Sequence, residues 1–173
     1  MKLVEWVRFS WDLDKLPGMA GTLPSHYSFT PATLADEKEL RLVIRRCFAH
    51  DTSWGAVFHE IDGMIDGWFA DGLDPDKPGI CLALRHGVRM IGATILLPDP
   101  TRENHLAPGP CIVMEYRNRG LGTALLGESL RRLREVGLTR AIAVAKSNGP
   151  VAKFLYPKFS GVLIPADTPL LAA

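Results

Sequence analysis

Arg117-Asn118-Arg119-Gly120-Leu121-Gly122-Thr123 is the stretch on which the reading of this chain turns. The apolar run Cys111-Ile112-Val113-Met114 precedes it and a long helical pattern follows, so it reads as a tight turn from a buried strand into a helix. Glycines at 120 and 122 let a ligand approach the main chain closely, since neither carries a Cβ and both tolerate positive φ. The first N–H groups of the helix have no intrahelical partner and sit at the positive end of its dipole. A phosphate or pyrophosphate suits that position. On the glycine pair alone, a plain strand-to-helix turn is the competing reading.

The helix after the turn is amphipathic. Leu125, Leu126, Ser129, Leu130, Leu133 and Val136 fall on one side, Glu128, Arg131, Arg132, Arg134 and Glu135 on the other, and Gly137 stops it. Two familiar phosphate motifs do not fit. A dinucleotide fingerprint needs a third glycine where Leu125 stands and an acid for the ribose, which Ala141 to Lys146 does not supply. A P-loop needs Gly-Lys-Ser/Thr, and Thr123 follows Gly122 directly.

With Arg117, Gly120 and Gly122 at its first, fourth and sixth places, the segment resembles the Arg/Gln-x-x-Gly-x-Gly/Ala signature of the GNAT superfamily of N-acetyltransferases. Val113-Met114-Glu115-Tyr116-Arg117 is similar to that family's strand-to-loop passage, and Asn148 to Tyr156 resembles its Asn…Ala…Tyr helix. The likeness runs over about residues 28 to 164 and is closest from 110 to 157. It implies an α/β fold: a mixed, mostly antiparallel central sheet flanked by about four helices, here with an extra N-terminal strand. Residues 1–173 form a single domain on this reading, 1–26 an N-terminal extension and 27–164 the core.

Composition agrees with one domain. A chain of 173 residues can bury about 70% of its unfolded surface in a single core. Lysine plus arginine (20) nearly cancel aspartate plus glutamate (19), so no global field calls for nucleic acid or an anionic membrane, and any anion site must be local. Lys2, Glu5 and Arg8 interrupt what would be a leader's apolar region, and no apolar run approaches membrane-spanning length, so the expected location is the cytoplasm. Cys47, Cys81 and Cys111 are widely spaced with no Cys-x-x-Cys pair and read as buried thiols; no metal is expected.

In chain order, alternation over residues 3 to 9 suggests a strand, and Tyr27-Ser28-Phe29 a second. Thr33 and Asp36 open a helix as a capping box, with Leu40, Val43, Ile44, Cys47 and Phe48 as its apolar stripe. The next helix carries Trp54, Val57, Phe58, Ile61, Ile65, Trp68 and Phe69 on one face; His59, Asp62 and Asp66 line the other, ordinarily a solvated face. The resemblance makes these two helices the acceptor wall, with specificity at Ala49 to Trp54. Residues 80–84 and 90–97 form a hairpin, and Pro98 to Pro110 a long connection. Arg140 to Ala145 is a strand, Pro150 suits a first helical turn, and Val151, Phe154, Leu155 and Phe159 are expected to face the sheet. The family places two strands after this helix, whereas the chain has room for one, Val162-Leu163-Ile164. The N-terminal strand is therefore expected to cover the open edge of the sheet or to pair with a second subunit, which leaves a homodimer open.

The resemblance implies acetyl-CoA as co-substrate. Main-chain N–H groups of Arg119, Gly120, Gly122 and Thr123, with Leu121 between them, hold the pyrophosphate; the pantetheine arm runs along Ile112, Val113 and Met114, and Asn148 bonds it from the other side. Arg117 belongs to this cofactor set as a phosphate contact or a brace, and Lys153 or Arg119 is placed to meet the outer phosphates. The reaction implied is direct attack of a primary amine on the thioester in a ternary complex. Tyr156 is the candidate acid, against a packed tyrosine as the plain reading; the N–H of Val113 or Met114 is the candidate oxyanion donor. Glu115, Asp99 and His105 are candidate bases without distinction, and an ordered water is the alternative. Pro157 to Val162 replaces the family's usual Gly-Phe ending, which keeps a non-catalytic acyl-CoA-binding module as the other reading. Acidic residues over 51–76 mildly favour a cationic acceptor, though a solvated acidic surface explains them equally well.

Overall fold

The computed structural model describes residues 5–18, 23–50 and 58–165. The N–H of Thr33 donates to Asp36 Oδ2 at 2.9 Å, closing the expected capping box, and the turn it starts runs into α1 (Glu37–Ala49). Helix α1 buries Leu40, Val43, Ile44 and Cys47. Helix α2 (Ile61–Gly72) buries Ile61, Ile65 and Phe69; Trp54, Val57 and most of the Ala49 to Trp54 junction lie outside the described residues. Both helices pack on an antiparallel sheet in the order β2 (Tyr27–Pro31), β3 (Ile80–His86), β4 (Arg89–Leu96) and β5 (Cys111–Ile112). The β3–β4 turn places Gly87 at φ 59°, a conformation glycine adopts without strain.

Helix α3 (Leu121–Glu135) buries Leu125, Leu126, Ser129, Leu130 and Leu133, the face expected from periodicity. Val136 falls past its end and is exposed. Gly137, at φ 103°, turns the chain out; its N–H reaches Arg134 O at 3.0 Å and Leu138 N–H reaches Leu133 O at 3.1 Å, a Schellman closure with Leu138 buried beneath. On the outer flank Arg131 pairs with Glu128 and Glu135, and Arg132 with Glu128.

A second, three-stranded sheet runs β6 (Arg140–Lys146), β1 (Trp6–Asp12), β7 (Val162–Ile164), all antiparallel. Here the expectation needs correcting: the N-terminal strand covers no edge but is the middle strand, and β7 is the edge. Long-range pairing overrides the local pattern, because β1 buries Phe9 opposite Ala143 and Trp11 opposite Ala141. Small alanines leave room for two large rings against α3. Trp11 is fully enclosed, and its Nε1 donates to Lys158 O at 3.0 Å. After β6 the expected fourth helix is present as one short, wide π-helical turn, Val151–Leu155, with Tyr156 N–H closing on Val151 O at 2.9 Å. Phe154, expected against the sheet, is 70% exposed because the wider turn rotates it outward. Among the described residues no helix is long and apolar enough to cross a membrane.

Candidate functional site

Among the described residues, His105 links the two sheets through main-chain hydrogen bonds. His105 N–H donates to Ile142 O at 2.7 Å and Ile142 N–H donates to His105 Nδ1 at 2.9 Å, while Leu97 N–H donates to His105 O at 2.9 Å. His105 Nε2 lies 2.9 Å from Asp99 O, so with Nδ1 accepting, the proton sits on Nε2. Burial holds this histidine below its ordinary value and keeps it neutral. Beyond it β5 pairs only with β4, and no ladder joins β5 to β6 among the described residues. β5 and β6 thus both pack on α3 without pairing with each other, and the gap between the two strands is termed the wedge.

The outer strand reaches the wedge through a bulge. Between the Leu96–Leu106 and Ala93–Cys111 pairs β4 advances three residues and its partner five, the extra chain including Gly109 and Pro110. A side chain at Gly109 would collide with the Tyr156 hydroxyl. Tyr156 is thus brought to the base of the wedge, its ring 1% exposed between Phe9 (5.8 Å, edge-on) and Trp11 (5.2 Å, edge-on). Burial, and to a lesser extent the Cys111 thiol, push the phenol well above its usual range, so it stays protonated. The bulge was not legible in the sequence; Gly109-Pro110 inside the long connection was its only signal.

At the wedge mouth the glycine turn has the geometry expected of it. β5 is shorter than the apolar run suggested: Val113 is extended, and Met114 to Tyr116 form a helical turn that leaves Met114 half-exposed. Asn118 at φ 61° and Gly120 at φ 76° then fold the chain into the N-terminus of α3. A Cβ at Gly120 would meet nothing within 4 Å, and at Gly122 only Ile112 Cγ1 at 3.9 Å, so open space lies before both. No acid stands in the first turn of α3 to compete for its N–H groups, and Arg132 and Arg134 occupy its last turn.

Of the alternatives left for Arg117, the brace is the one observed. Its Nε donates to Ile112 O at 2.9 Å and Nη2 to Cys47 O at 3.2 Å, tying β5 to α1. The Val113 N–H, one of two oxyanion candidates, is spent in the ladder on Ile91 O at 3.0 Å. The other candidate, the Met114 N–H, belongs to the residue that opens the helical turn Met114–Tyr116. Asn148 is exposed in the turn just after β6, on the opposite flank.

The candidate bases are otherwise occupied. Glu115 is held below the usual carboxylate range by its own main-chain N–H and by Arg89 at 2.6 Å. Asp99 is lowered by the Thr101 hydroxyl and N–H, at 2.7 and 2.9 Å. His105 has both ring nitrogens engaged. Cys111 is no better placed: Cys47 and burial raise its thiol, and burial raises that of Cys81 to about 12. Asp62 and Asp66 on α2 are ion-paired with Arg41 and Arg45 of α1, so they are a seam between helices rather than a lure for a cationic acceptor.

The glycine turn thus leads into a fifteen-residue helix that packs against both β5 and β6. The chain belongs to the acetyltransferase (GNAT) family, whose model matches residues 39–161. No curated protein matches it. Among solved structures it is similar to a GCN5-related N-acetyltransferase from Sphaerobacter thermophilus, at 17% identity over 94% of this chain and 50% of that one, with a TM-score of 0.62. It is also similar to a GNAT-family acetyltransferase from Colwellia psychrerythraea (13%, 93% and 53%, 0.61). A functionally unknown conserved protein from Staphylococcus epidermidis is a third neighbour (12%, 92% and 57%, 0.62). At such identities these likenesses show the fold alone, and the chain spans about half the length of these structures.

Proposed function

We propose that this chain transfers the acetyl group of acetyl-CoA to a primary amine by direct attack in a ternary complex. The observation that carries this reading is the wedge between β5 and β6 with Gly120 and Gly122 at its mouth. The N–H groups of Arg119, Gly120, Leu121, Gly122 and Thr123, backed by the α3 dipole, cradle the pyrophosphate. The pantetheine arm lies along the main chain of Ile112, Val113 and Met114, with Asn148 opposite. Arg117 serves from beneath, by holding β5 and α1 together.

In the reaction the amine nitrogen attacks the thioester carbonyl, the C–N bond forms, the C–S bond breaks and the amine loses a proton. The Met114 N–H stabilises the developing oxyanion. Tyr156, protonated and aimed at the bulge, donates a hydrogen bond to the sulfur, which departs with the C–S electron pair as a thiolate and takes its proton from solvent. With Glu115, Asp99 and His105 engaged, water carries the amine's proton to solvent.

A non-catalytic acyl-CoA-binding module is the second reading. Its support is the deep burial of Tyr156 together with the commitment of all three candidate bases. Two measurements separate the readings. Thermal melting with acetyl-CoA, CoA, NADH and ATP tests the site: ligand at about 100 times its Kd adds about 2.7 kcal/mol, a rise of about 5–10 °C. The expected rise is confined to the two CoA species, and no rise with either would sink both readings. Acetyl transfer to any amine in a panel then supports the enzyme, whereas binding without transfer supports the module.

A further inference from the structure

Strand β4 is buried from Met90 to Leu96 and apolar there except for one side chain, the hydroxyl of Thr94. Burying a hydroxyl costs free energy unless it is hydrogen-bonded, and a valine would fill the same space. Thr94 is fully enclosed, and its Oγ1 donates to Pro108 O at 2.8 Å, 14 residues along the chain. Buried Ser129, by contrast, bonds within its own helix, to Leu125 O at 2.6 Å. The Thr94 bond ties the interior of the sheet to the bulge that precedes β5.

The place of this bond in the ladder gives it a consequence. Ala107 N–H donates to Ile95 O at 3.1 Å and Ile95 N–H to Pro108 O at 3.2 Å, and the next pair is Ala93 with Cys111. Gly109 and Pro110 stand between them as the bulge. Pro108 O belongs to the peptide plane that enters Gly109, so that plane is held by two donors, one of them the Thr94 side chain. The plane that leaves Gly109 is held by the Cys111 thiol, which donates to Gly109 O at 3.2 Å. Gly109 is the residue whose Cβ would collide with the Tyr156 hydroxyl, whereas the ring carbon Cζ would lie 3.5 Å away, an ordinary contact. These two planes therefore set the wall that meets the phenol at its hydroxyl end.

We propose that Thr94 is a positioning residue: by fixing the Pro108–Gly109 peptide plane it keeps the Tyr156 hydroxyl aimed at the departing sulfur. This rests on the enzymatic reading above, in which Tyr156 donates to that sulfur. Phe9 and Trp11 hold the ring edge-on, and the Gly109 wall fixes where its hydroxyl end lies. A valine at 94 keeps the volume and leaves Pro108 O with the Ile95 N–H alone, so the plane is free to tilt while the strands stay paired. A misplacement of about 1 Å at a reacting group costs up to about 10²-fold in rate.

Steady-state kinetics of the full chain, with acetyl-CoA and an amine that it turns over, tests this. Thr94→Val is expected to lower kcat about tenfold or more while KM for acetyl-CoA stays within about twofold. Thr94→Ser, which keeps the hydroxyl, is expected to recover most of the loss. In a Tyr156→Phe background Thr94→Val is expected to change kcat by no more than about twofold, because the group it positions is gone. Unchanged kcat in Thr94→Val overturns the positioning role. So does an equal loss in Thr94→Ser, or a loss that persists in full without the Tyr156 hydroxyl. Unchanged kcat in Tyr156→Phe overturns the acid role of Tyr156, and the positioning role with it.

Melting supplies a readout that needs no turnover. Gly109→Ala is expected to lower the midpoint through its collision with the Tyr156 hydroxyl, and to lower it by less in a Thr94→Val background, where the plane yields. Equal falls in the two backgrounds overturn the link from Thr94 to Gly109, whether or not any amine is acetylated. Absence of turnover with every amine of a panel overturns the enzymatic reading, and the positioning role with it, whatever the melting shows.

Discussion

The segments that leave β5 and β6 could hardly be packed more differently. After β5 the chain stays at the surface: Glu115 and residues 117 to 120 are exposed, and Gly120 looks onto open space. After β6 it dives inward, so that Ala152 and Tyr156 are buried and Tyr156 is wedged between Phe9 and Trp11. One flank presents the main-chain N–H groups proposed to hold the coenzyme; the other is a piece of core that carries the Tyr156 hydroxyl. The difference teaches where function is tolerant. The open flank depends on backbone conformation at a few residues, the closed flank on packing with a strand from the far end of the chain.

The largest break in this contrast comes from removing β1. Deleting residues 1 to 12 takes away the middle strand of the second sheet with Phe9 and Trp11. Loss of one buried tryptophan alone costs about 3–5 kcal/mol, a large part of a domain's total stability. The expected outcome is loss of the cooperative melting transition; unchanged melting would show that the closed flank does not need β1. Next in size, Tyr156→Phe keeps the ring and its edge contacts, so stability stays within about 1 kcal/mol. If the hydroxyl meets the departing sulfur, kcat falls by about 10², and an unchanged kcat with a working amine returns Tyr156 to a purely packing role.

Gly120→Ala and Gly122→Ala sharpen the open flank. At φ 76° an alanine at 120 costs about 1 kcal/mol even with room for its methyl, whereas at 122 the fold changes by about 0.5 kcal/mol or less. Gly120→Ala is also expected to weaken acetyl-CoA, because its methyl stands where the pyrophosphate is proposed to approach, whereas Gly122→Ala, which the Arg/Gln-x-x-Gly-x-Gly/Ala pattern allows, is expected to leave binding unchanged. Melting curves with and without acetyl-CoA separate the effects on fold and on binding, and a Gly120→Ala protein that binds acetyl-CoA at full strength would refute the close approach.

The smallest effect is at the junction of the sheets. Burial depresses His105 from its ordinary 6.5, so the unfolded chain binds this proton more readily than the folded one. Its contribution to stability is present above pH 6.5 and is lost as pH falls through the depressed value, because protonated Nδ1 can no longer accept from Ile142 N–H. Urea midpoints measured from pH 7.5 to 5 are expected to fall more steeply for the wild type than for His105→Gln. Parallel curves would remove His105 from the account.

The sequence by itself determined what short-range physics controls. The turn at 117 to 123, the buried face of α3 and its stop at Gly137, the Thr33–Asp36 box and the Gly87 hairpin rest on side-chain period and on φ at single glycines, all local quantities. Only the tertiary structure decided the place of β1, which pairs with strands more than 120 residues away; alternation marks a strand but never names its neighbours. The same holds for the seclusion of Tyr156, the wide turn that turns Phe154 outward and the spending of the Val113 N–H on Ile91. It holds too for Arg117, which adjacency marked only as part of the site. Each depends on which distant group a side chain or N–H meets, and that is settled when the two sheets close on their helices.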